Sequence, residues 1–284
     1  MSHPQGTLGI IAGAGELPLR VAEAAMAAGR PVLVGIIEGQ GEPERFAAIP
    51  HRSFRWGLAS EMVAALREAG VRELVLAGRV TRPSILSLRP NAATLALIAR
   101  LGKAAFRGDD SILTAVMCGL RDEGFEILGA QRVLDDLLPK PALLAGAEPD
   151  EMAQDDIRRG LAVCRALGVA DVGQGCVVQQ GLVLAVEAIE GTDAMLARAG
   201  GLRREGPGGV LVKCVKPGQS RLADLPTIGP ATVQAAAAAG LRGLAIEADG
   251  TIVVDRPGTI AAAAAAGLFI LAFDANTFLK ETPP

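Results

Sequence analysis

Apolar runs of strand length alternate with helix-like segments in the first part of the chain. Residues 7–12, 31–37 and 73–77 are predicted strands, and residues 17–28 and 59–69 between them have the apolar spacing of amphipathic helices. A glycine follows each helical segment, as expected where a helix ends. Strands that alternate with helices in this way predict a parallel sheet with right-handed crossover connections.

A domain boundary is predicted near the middle of the chain. Three prolines lie within residues 138–150, and proline-rich stretches often separate domains. With 284 residues, the chain is long enough for two domains that each bury a core. The predicted division is a first domain over residues 1–135, a linker over residues 136–149 and a second domain over residues 150–284.

The order of elements changes in the second half, where short strands become frequent. Some of these strands are expected to be joined by hairpin-like turns, such as Ala248-Asp249-Gly250. The pattern predicts a mixed α/β domain. Beyond the first five elements, helices are predicted at residues 91–106, 111–124, 150–167, 229–239 and 258–266, and a further helix from Ala194. Asp109-Asp110 is the predicted cap of the helix at residues 111–124. Strands are predicted at residues 125–129, 176–180, 182–188, 209–216, 244–246 and 251–254.

The composition limits the kinds of partner that the protein can bind. Half of the residues are apolar but only 3% are aromatic, so the core is expected to consist of Ala, Val, Leu and Ile in closely packed α/β layers. The formal net charge is -3, which lacks the basic excess of proteins that bind a phosphate backbone. We therefore expect no nucleic-acid partner.

The cysteines and histidines exclude several kinds of active site. The four cysteines are widely separated, without the spacing of a zinc site, and are expected to be buried in a reducing cytosol. Only His3 and His51 are present, so neither a histidine-rich metal site nor a conventional Ser/His/Asp triad is expected. Catalysis would then depend on carboxylates, lysines and a metal ion.

No targeting or membrane-spanning segment is predicted. Residues 1–6 are polar, unlike a signal peptide, and the longest apolar segment, residues 260–273, is short of the roughly 20 residues that span a bilayer. We expect a soluble cytoplasmic protein, and peripheral contact with a membrane surface stays open.

A glycine-rich turn follows the first predicted strand. Gly13-Ala14-Gly15-Glu16-Leu17 lies where a Rossmann phosphate loop would lie, and Glu38 follows the second strand, where a ribose-binding acid is expected. Pro18 replaces the third glycine of the dinucleotide-binding fingerprint, which argues against a nicotinamide cofactor. The alternative is that the glycines only make a tight turn.

Two other turns in the first half carry polar groups. Gly78-Arg79 follows the third strand, where the arginine could bind phosphate or be solvated at the surface. Gly108-Asp109-Asp110-Ser111 precedes a helix, so its carboxylates could cap that helix or approach a metal ion or sugar hydroxyls.

Acidic residues are concentrated directly after the strand predicted at residues 182–188. Glu187-Ala188-Ile189-Glu190-Gly191-Thr192-Asp193 contains three carboxylates, and a desolvated carboxylate is costly unless it is paired or bound to metal. This run therefore favours a cation or a polyanionic ligand. The alternative is that Glu187 and Glu190 are solvated and that Asp193 caps the next helix.

A basic strand end leads into a stiff acidic loop. The run from Lys213 to Arg221 ends a predicted strand, and alternation along that strand allows only one of Lys213 and Lys216 to face the core. Prolines and Gly229 then stiffen a loop that presents Asp224 and Thr227. Lysine, arginine and aspartate together fit a phosphate held beside a hard divalent cation, although an exposed turn explains the same residues.

Several of these motifs together resemble one family. The chain is similar to the LpxI family of UDP-2,3-diacylglucosamine pyrophosphatases, which act in lipid A biosynthesis in some Gram-negative bacteria. The resemblance extends over nearly the whole chain. It is carried by Gly9-Ile10-Ile11-Ala12-Gly13-Ala14-Gly15-Glu16-Leu17-Pro18, Gly108-Asp109-Asp110, Asp171-Val172-Gly173-Gln174, the run from Glu187 to Asp193, and the run from Asp224 to Gly229.

The resemblance implies a fold and a reaction. The first domain would be Rossmann-like, and the second would have a mixed α/β fold peculiar to the family. The activity would be the hydrolysis of UDP-2,3-diacylglucosamine to UMP and 2,3-diacylglucosamine 1-phosphate (lipid X), dependent on Mg²⁺ or Mn²⁺, with water attacking the α-phosphorus. An acidic and a basic residue often stand in the family where this chain has Ser220 and Leu222, which leaves Arg221 as the better candidate in that loop.

The site residues follow from the motifs and the resemblance together. Asp224 is expected to be essential, as a metal ligand or as the carboxylate that orients the attacking water, with Glu190 and Asp193 as further metal ligands and Asp193 also as a catalytic candidate. Lys213 would offset charge on the phosphoryl oxygens. The expected substrate-binding residues are Gly13, Ala14, Gly15, Glu16, Leu17, Gly78, Arg79, Gly191, Thr192, Lys213, Arg221 and Thr227.

Two other function classes remain open from the sequence. One is an NAD(P)-dependent Rossmann oxidoreductase, which the glycine turn and Glu38 would support. The other is a non-catalytic carrier of a lipid or nucleotide. A transient contact with the inner membrane surface and a homodimer are further partner expectations.

Overall fold

A computed structural model of the chain describes residues 6–55, 58–80, 109–218 and 221–280. The chain divides into two compact units. One contains Met1–Asp135 and Ser220–Asp224, and the other contains Asp136–Gln219 and Leu225–Pro284. The predicted helix at residues 91–106, like Gly108 and Ser220, lies outside the described residues.

The first unit contains a five-stranded parallel sheet, which confirms the predicted sheet type. Its strand order, β3-β2-β1-β4-β5, is that of a Rossmann-like half. The short edge strand β3 was not predicted, because its sequence is mostly polar. The described elements are β1 (Leu8–Ala12), α1 (Leu17–Ala27), β2 (Val32–Ile37), β3 (His51–Phe54), α2 (Ala59–Glu68), β4 (Glu73–Ala77), α3 (Asp109–Asp122) and β5 (Glu126–Leu128).

The central strands of this sheet are continuous apolar runs because both faces are covered. All five residues of β1 are buried, as are the first five of β2. Helix α1 has a proline in its first turn, where no backbone N–H is needed, and Gly29 follows it with φ of 77°. Asp109 and Asp110, predicted as a cap, lie inside the first turn of α3.

The second unit contains a six-stranded mixed sheet, which agrees with the predicted mixed α/β domain. In the order β6-β13-β11-β9-β7-β8, strands β9, β11 and β13 are parallel, and β6, β7 and β8 pair antiparallel with their neighbours. Strands β10 and β12 form a separate parallel pair. The elements are β6 (Ala142–Ala145), α4 (Glu151–Val169), β7 (Gly175–Gln179), β8 (Leu182–Val186), α5 (Gly191–Gly200), β9 (Val210–Lys213), β10 (Thr227–Ile228), α6 (Pro230–Ala238), β11 (Gly243–Glu247), β12 (Ile252–Val253), α7 (Arg256–Ala266), β13 (Phe269–Phe273) and α8 (Ala275–Lys280).

Helices cover both faces of the mixed sheet. Ile157 and Leu161 of α4 pack with Val212 on one face. Met195 of α5 packs with Leu211 on the other face, together with buried residues of α6 and α7. Alternation along β9 therefore directs Lys213 to the α5 face, because it lies two residues beyond Leu211.

Several local predictions for this unit were wrong. Ala248-Asp249-Gly250 is not a hairpin turn, since β11 and β12 belong to different sheets. The hairpin joins β7 to β8 through Gln180 and Gly181, whose φ angles of 54° and 75° suit a tight two-residue turn. The stretch predicted as a linker contains β6, which pairs with β13.

The strand predicted at residues 209–216 ends at Lys213, so the predicted alternation does not extend to Lys216. Both lysines are buried, and Lys216 forms a 2.9 Å ion pair with Asp171. The prediction that only one of them faces inward was therefore wrong.

Three of the four cysteines are buried together, and Cys118 is exposed, contrary to the prediction for that residue. The Sγ atoms of Cys164 and Cys176 lie 3.7 Å apart on the α4 side of the mixed sheet, close to Cys214. Hydrogen bonding from the Cys176 thiol, and then from the Cys214 thiol, lowers the pKa of Cys164 to about 5. The hydrogen bond to Cys164 raises the pKa of Cys176 above its usual range.

Among the described residues, no helix is both long enough and apolar enough to cross a membrane.

Candidate functional site

Lys213 is a buried cation at the carboxyl end of β9. The residue is 3% exposed, and its Nζ donates to Thr192 Oγ1 at 2.6 Å and to the Thr227 carbonyl oxygen at 3.4 Å. Glu187 Oε1 lies 3.8 Å from Nζ. A buried ammonium is costly unless it is paired and hydrogen-bonded, and these three groups meet that requirement.

Thr192 links the two charged side chains. Its hydroxyl donates to Glu187 Oε1 at 2.5 Å and accepts from Lys213 Nζ at 2.6 Å. Thr192 lies in the first turn of α5, which begins at Gly191 with φ of 79°. Glycine suits that residue because the left-handed region is unfavourable for other side chains.

Strand register brings these residues together. Gly175, the first residue of β7, pairs with Lys213, and the Glu187 N–H donates to the Gly175 carbonyl at 2.8 Å. A Cβ on residue 175 would lie 2.7 Å from Glu187 Oε2, so any larger residue there would force the carboxylate to shift. Oε2 is buried and has no hydrogen-bond partner among the described residues.

Glu190 and Asp193, predicted as metal ligands, lie at the start of α5. Glu190 accepts from Arg198 at 2.6 Å, and hydrogen bonds from its own backbone N–H, and then from Arg198, lower its pKa from its usual value. Asp193 lies within the first turn and not at its cap, because α5 begins at Gly191 and not near Ala194 as predicted.

The predicted loop beyond β9 is divided between the units. Leu222 and Ala223 pack against the apolar core of the first unit, and the Arg221 carbonyl accepts from Gln131 Nε2 at 2.9 Å. Asp224 belongs to the same short segment. Packing explains Leu222, one of the two departures from the family pattern, since an apolar residue suits that place.

Thr227 lies in the second unit, and its carbonyl oxygen, not its hydroxyl, contacts Lys213. The hydroxyl donates to the Leu225 carbonyl oxygen at 3.2 Å. Thr227 therefore joins the Lys213 cluster through its backbone, which its side-chain type does not reveal.

The described residues contain no group of three His, Cys, Asp or Glu side chains positioned to hold a metal ion. Magnesium is commonly held by one or two carboxylates together with waters and substrate phosphates. Carboxylate oxygens of this chemistry are present at Glu190 and Asp193 in the second unit and, separately, at Asp224 in the first.

The glycine turn of the first unit is partly closed by backbone pairing. The Gly13 N–H donates to the Ala77 carbonyl, and Ala14 and Arg79 exchange two backbone hydrogen bonds at 2.8 and 2.9 Å. A Cβ on Gly78 would lie 2.7 Å from the Ala14 carbonyl oxygen, so close approach of two backbones explains that glycine. Only the amides from Gly15 onwards, which precede or begin α1, remain for the predicted phosphate contact.

The remaining predicted residues of this region lie around the same turn. Gly15 has φ of 100°, and Glu16 precedes α1 and forms a 3.6 Å ion pair with Arg45. Leu17 is the first residue of α1. Glu38 follows β2, and its N–H donates to the Phe54 carbonyl oxygen.

Sequence reasoning named Lys213 and Thr192, included Glu187 only as one of the three carboxylates of its run, and gave no role to Gly175. The alternative that Glu187 is solvated was wrong, because the residue is buried. A glycine directly before a buried apolar strand was the available signal for Gly175. No pattern in the sequence indicated which carboxylate of the run from Glu187 to Asp193 would be buried.

Comparisons with known proteins agree on one family. Residues 7–137 match the LpxI N-terminal domain, and residues 140–271 match the LpxI C-terminal domain. The chain is 43% identical over 257 residues to UDP-2,3-diacylglucosamine pyrophosphatase LpxI of Caulobacter vibrioides. The aligned stretch covers 88% of this chain and 91% of that protein. With both domains matched and that identity sustained over most of its length, the chain belongs to the LpxI family.

Proposed function

We propose that this protein hydrolyses the pyrophosphate bond of UDP-2,3-diacylglucosamine, giving UMP and 2,3-diacylglucosamine 1-phosphate (lipid X) for lipid A biosynthesis. The observation that carries the proposal is the 43% identity, over 88% of the chain, to a relative named for this substrate. The buried cation in the second unit supports it, because pyrophosphate cleavage requires stabilisation of negative charge.

The Lys213 ammonium has a donor to spare for this work. An ammonium has three N–H groups, and Lys213 uses two on Thr192 and Thr227. Glu187 at 3.8 Å is beyond hydrogen-bond distance, so the described residues leave the third N–H without an acceptor. A phosphoryl oxygen of the substrate would accept a hydrogen bond from this third N–H. A donor that is fixed before the reaction stabilises the negative charge that develops on such an oxygen in the transition state.

Asp224 remains the proposed essential carboxylate. It would orient the attacking water or hold Mg²⁺ or Mn²⁺. Glu190 and Asp193, in the second unit, are the other proposed metal-binding residues. The cation would neutralise charge on the phosphate oxygens when bound. Because Glu190 is paired with Arg198, metal binding at Glu190 would have to displace that ion pair.

The test is release of UMP from UDP-2,3-diacylglucosamine by the purified protein, measured by chromatography with Mg²⁺ or Mn²⁺ present. Chelation should abolish release, and the added metal should restore it. Asp224→Asn should lower kcat by about 10²-fold or more, as expected when a group acting on the transferred proton is removed. Asp249→Asn is the matched control, because Asp249 is paired with Lys140 and its side chain is 46% exposed.

Wild-type turnover by Asp224→Asn would overturn the role of Asp224, and the absence of UMP with either metal would overturn the function. Reaction in ¹⁸O-labelled water then identifies the phosphorus that is attacked. Label in UMP is the expected result, and label in lipid X would mean attack at the β-phosphorus.

The glycine turn argues against the oxidoreductase alternative. The first two amides of the glycine turn are occupied by backbone carbonyls, and Pro18 replaces the third glycine. Thermal stabilisation by NAD or NADP would revive that alternative. Tight binding of the diacyl sugar nucleotide without UMP release would instead indicate a carrier.

A cytoplasmic location, contact with the inner membrane surface and a homodimer remain predictions. Cell fractionation, sedimentation with vesicles of inner-membrane lipids and analytical ultracentrifugation measure these three properties separately.

A further inference from the structure

We infer that Glu187 is a positioning residue, which acts through Thr192 to hold the Lys213 ammonium at the carboxyl end of β9. The inference rests on the proposed function for its kinetic consequence. The contacts behind it are all within the second unit, which contains Glu187, Thr192 and Lys213.

The Thr192 hydroxyl has a single hydrogen to donate. That hydrogen is donated to Glu187 Oε1 at 2.5 Å, so a lone pair of the same oxygen is left to accept from Lys213 Nζ at 2.6 Å. A neutral side chain in place of the carboxylate would hold this hydrogen less strongly, because a charge-assisted hydrogen bond is stronger than a neutral one. The contact between Thr192 and the long, flexible lysine side chain would then be weaker.

Lys213 and Glu187 carry opposite charges that are both buried. Lys213 and Glu187 are 3% and 8% exposed, so each is largely removed from water. Glu187 makes only one side-chain hydrogen bond, and its Oε2 has no partner among the described residues. The carboxylate is therefore poorly satisfied by hydrogen bonds, and its main compensation is the positive charge of Lys213. Removing one partner of such a pair leaves an uncompensated buried charge.

Backbone pairing fixes the position of Glu187 relative to Lys213. The backbone of Glu187 is fixed by its hydrogen bond to Gly175, which pairs with Lys213 across the β7–β9 ladder. Gly175 also leaves the space that the carboxylate fills. Two strands and the first turn of α5 thus fix the acid, the hydroxyl and the ammonium relative to one another.

A purely structural ion pair would explain the same contacts, so the test must separate positioning from stability. We would compare Glu187→Gln, Thr192→Val, Thr192→Ser and the double variant Glu187→Gln/Thr192→Val by kcat, KM and Tm. Glu205→Gln, the same change at an exposed residue of this unit, is the control.

Glu187→Gln and Thr192→Val should each lower kcat by about 10–100-fold, the usual effect of losing a group that orients a functional side chain. KM should change much less than kcat. Thr192→Ser should restore activity, because it keeps the hydroxyl. The double variant should be no worse than the poorer single variant, since both changes interrupt one chain of contacts.

A second measurement does not need the substrate. The chain has five lysines, so the ¹⁵N signal of the Lys213 ammonium can be assigned by its absence in Lys213→Met. We expect a slowly exchanging ammonium signal in the wild type that is lost in Glu187→Gln and Thr192→Val and kept in Thr192→Ser and Glu205→Gln.

The two measurements separate the possible failures. If the wild type releases no UMP, the proposed function fails, and the ammonium signal still decides whether Glu187 positions Lys213. Two results would overturn the inference: folded Glu187→Gln that keeps both the signal and wild-type kcat, or single-variant losses that multiply in the double variant.

Discussion

At the scale of single residues, two buried acids of the second unit have different surroundings. Glu187 faces the Lys213 ammonium, whereas Asp156, which is 1% exposed, accepts from the backbone N–H groups of Gln180 and Gly181 at 3.2 and 2.7 Å. Those amides form the β7–β8 turn. Asp156 therefore anchors the hairpin to α4, and the hairpin carries Gly175 and leads to Glu187.

We predict that Asp156→Ala lowers the free energy of unfolding by about 2 kcal/mol, because hydrogen bonds to a charged group are lost at a buried turn. Urea denaturation followed by circular dichroism measures the change. The neighbouring Asp155→Ala removes an exposed ion pair with Arg158 and should cost less than about 0.5 kcal/mol. Equal losses in the two variants would contradict the anchoring role.

At the same scale, the sequence predicted which residue types were important but not their contacts. Lys213 and Thr192 were both named from the sequence, 21 residues apart. Their contact depends on where α5 begins and on the register of β7 against β9. Neither can be deduced from local pattern, because both are set by pairing with residues far away in the chain.

At the scale of elements, α4 lies against the sheet through a glycine. A methyl group on Gly160 would lie 2.8 Å from Val212 Cβ, closer than side-chain carbons approach. Glycine within a helix is normally unfavourable by about 1 kcal/mol relative to alanine. Here close packing of the helix on β9 outweighs that intrinsic preference.

We therefore predict opposite responses from two exchanges in α4. Gly160→Ala should destabilise the protein by up to about 2 kcal/mol, since overpacking costs about 1–3 kcal/mol and the gain in helix propensity offsets about 1 kcal/mol of it. Ala162→Gly, on the exposed side of α4, should cost about 1 kcal/mol through propensity alone. Denaturant titration measures both, and stabilisation by Gly160→Ala would contradict the packing argument.

The elements were predicted best where periodicity was strong. Strand β4 was predicted with its observed bounds, and the long helix α4 to within two residues at its end. The short edge strands β3 and β6 were missed for different reasons: β3 is mostly polar and lacks the apolar signal, whereas β6 is apolar but lies within the proline-rich stretch predicted as a linker. The false hairpin at residues 248–250 shows that a turn signal does not specify which strands pair.

At the scale of the whole molecule, the chain returns once to its first unit. Residues 221–224 follow β9 of the second unit, yet Leu222 and Ala223 pack against the core of the first. The first unit is therefore not complete at residue 135. The same segment contains Asp224, so the position of Asp224 depends on the packing of Leu222 and Ala223 against the first core.

We predict that Leu222→Ala destabilises the first unit by about 1–2 kcal/mol, below the about 2–5 kcal/mol of a fully buried leucine, because Leu222 is only partly buried. Native-state hydrogen exchange measures the effect: amides of β1 and β2 should exchange faster, while those of β9 and β11 should be unchanged. Leu202→Ala, at an exposed leucine of the second unit, is the control. Faster exchange confined to β9 would contradict the assignment of this segment.

The sequence by itself determined the α/β class of both halves, the parallel sheet of the first and the family, because these depend on periodicity and on motifs that are local in the chain. It also supplied Lys213, Thr192 and Asp224 as candidates. Only the tertiary structure decided that Glu187 is buried against Lys213, that the Gly13 and Ala14 amides are occupied, and that Leu222 returns to the first core. These outcomes depend on contacts between distant residues, where strand register and burial decide whether a charged or polar group meets a partner or water.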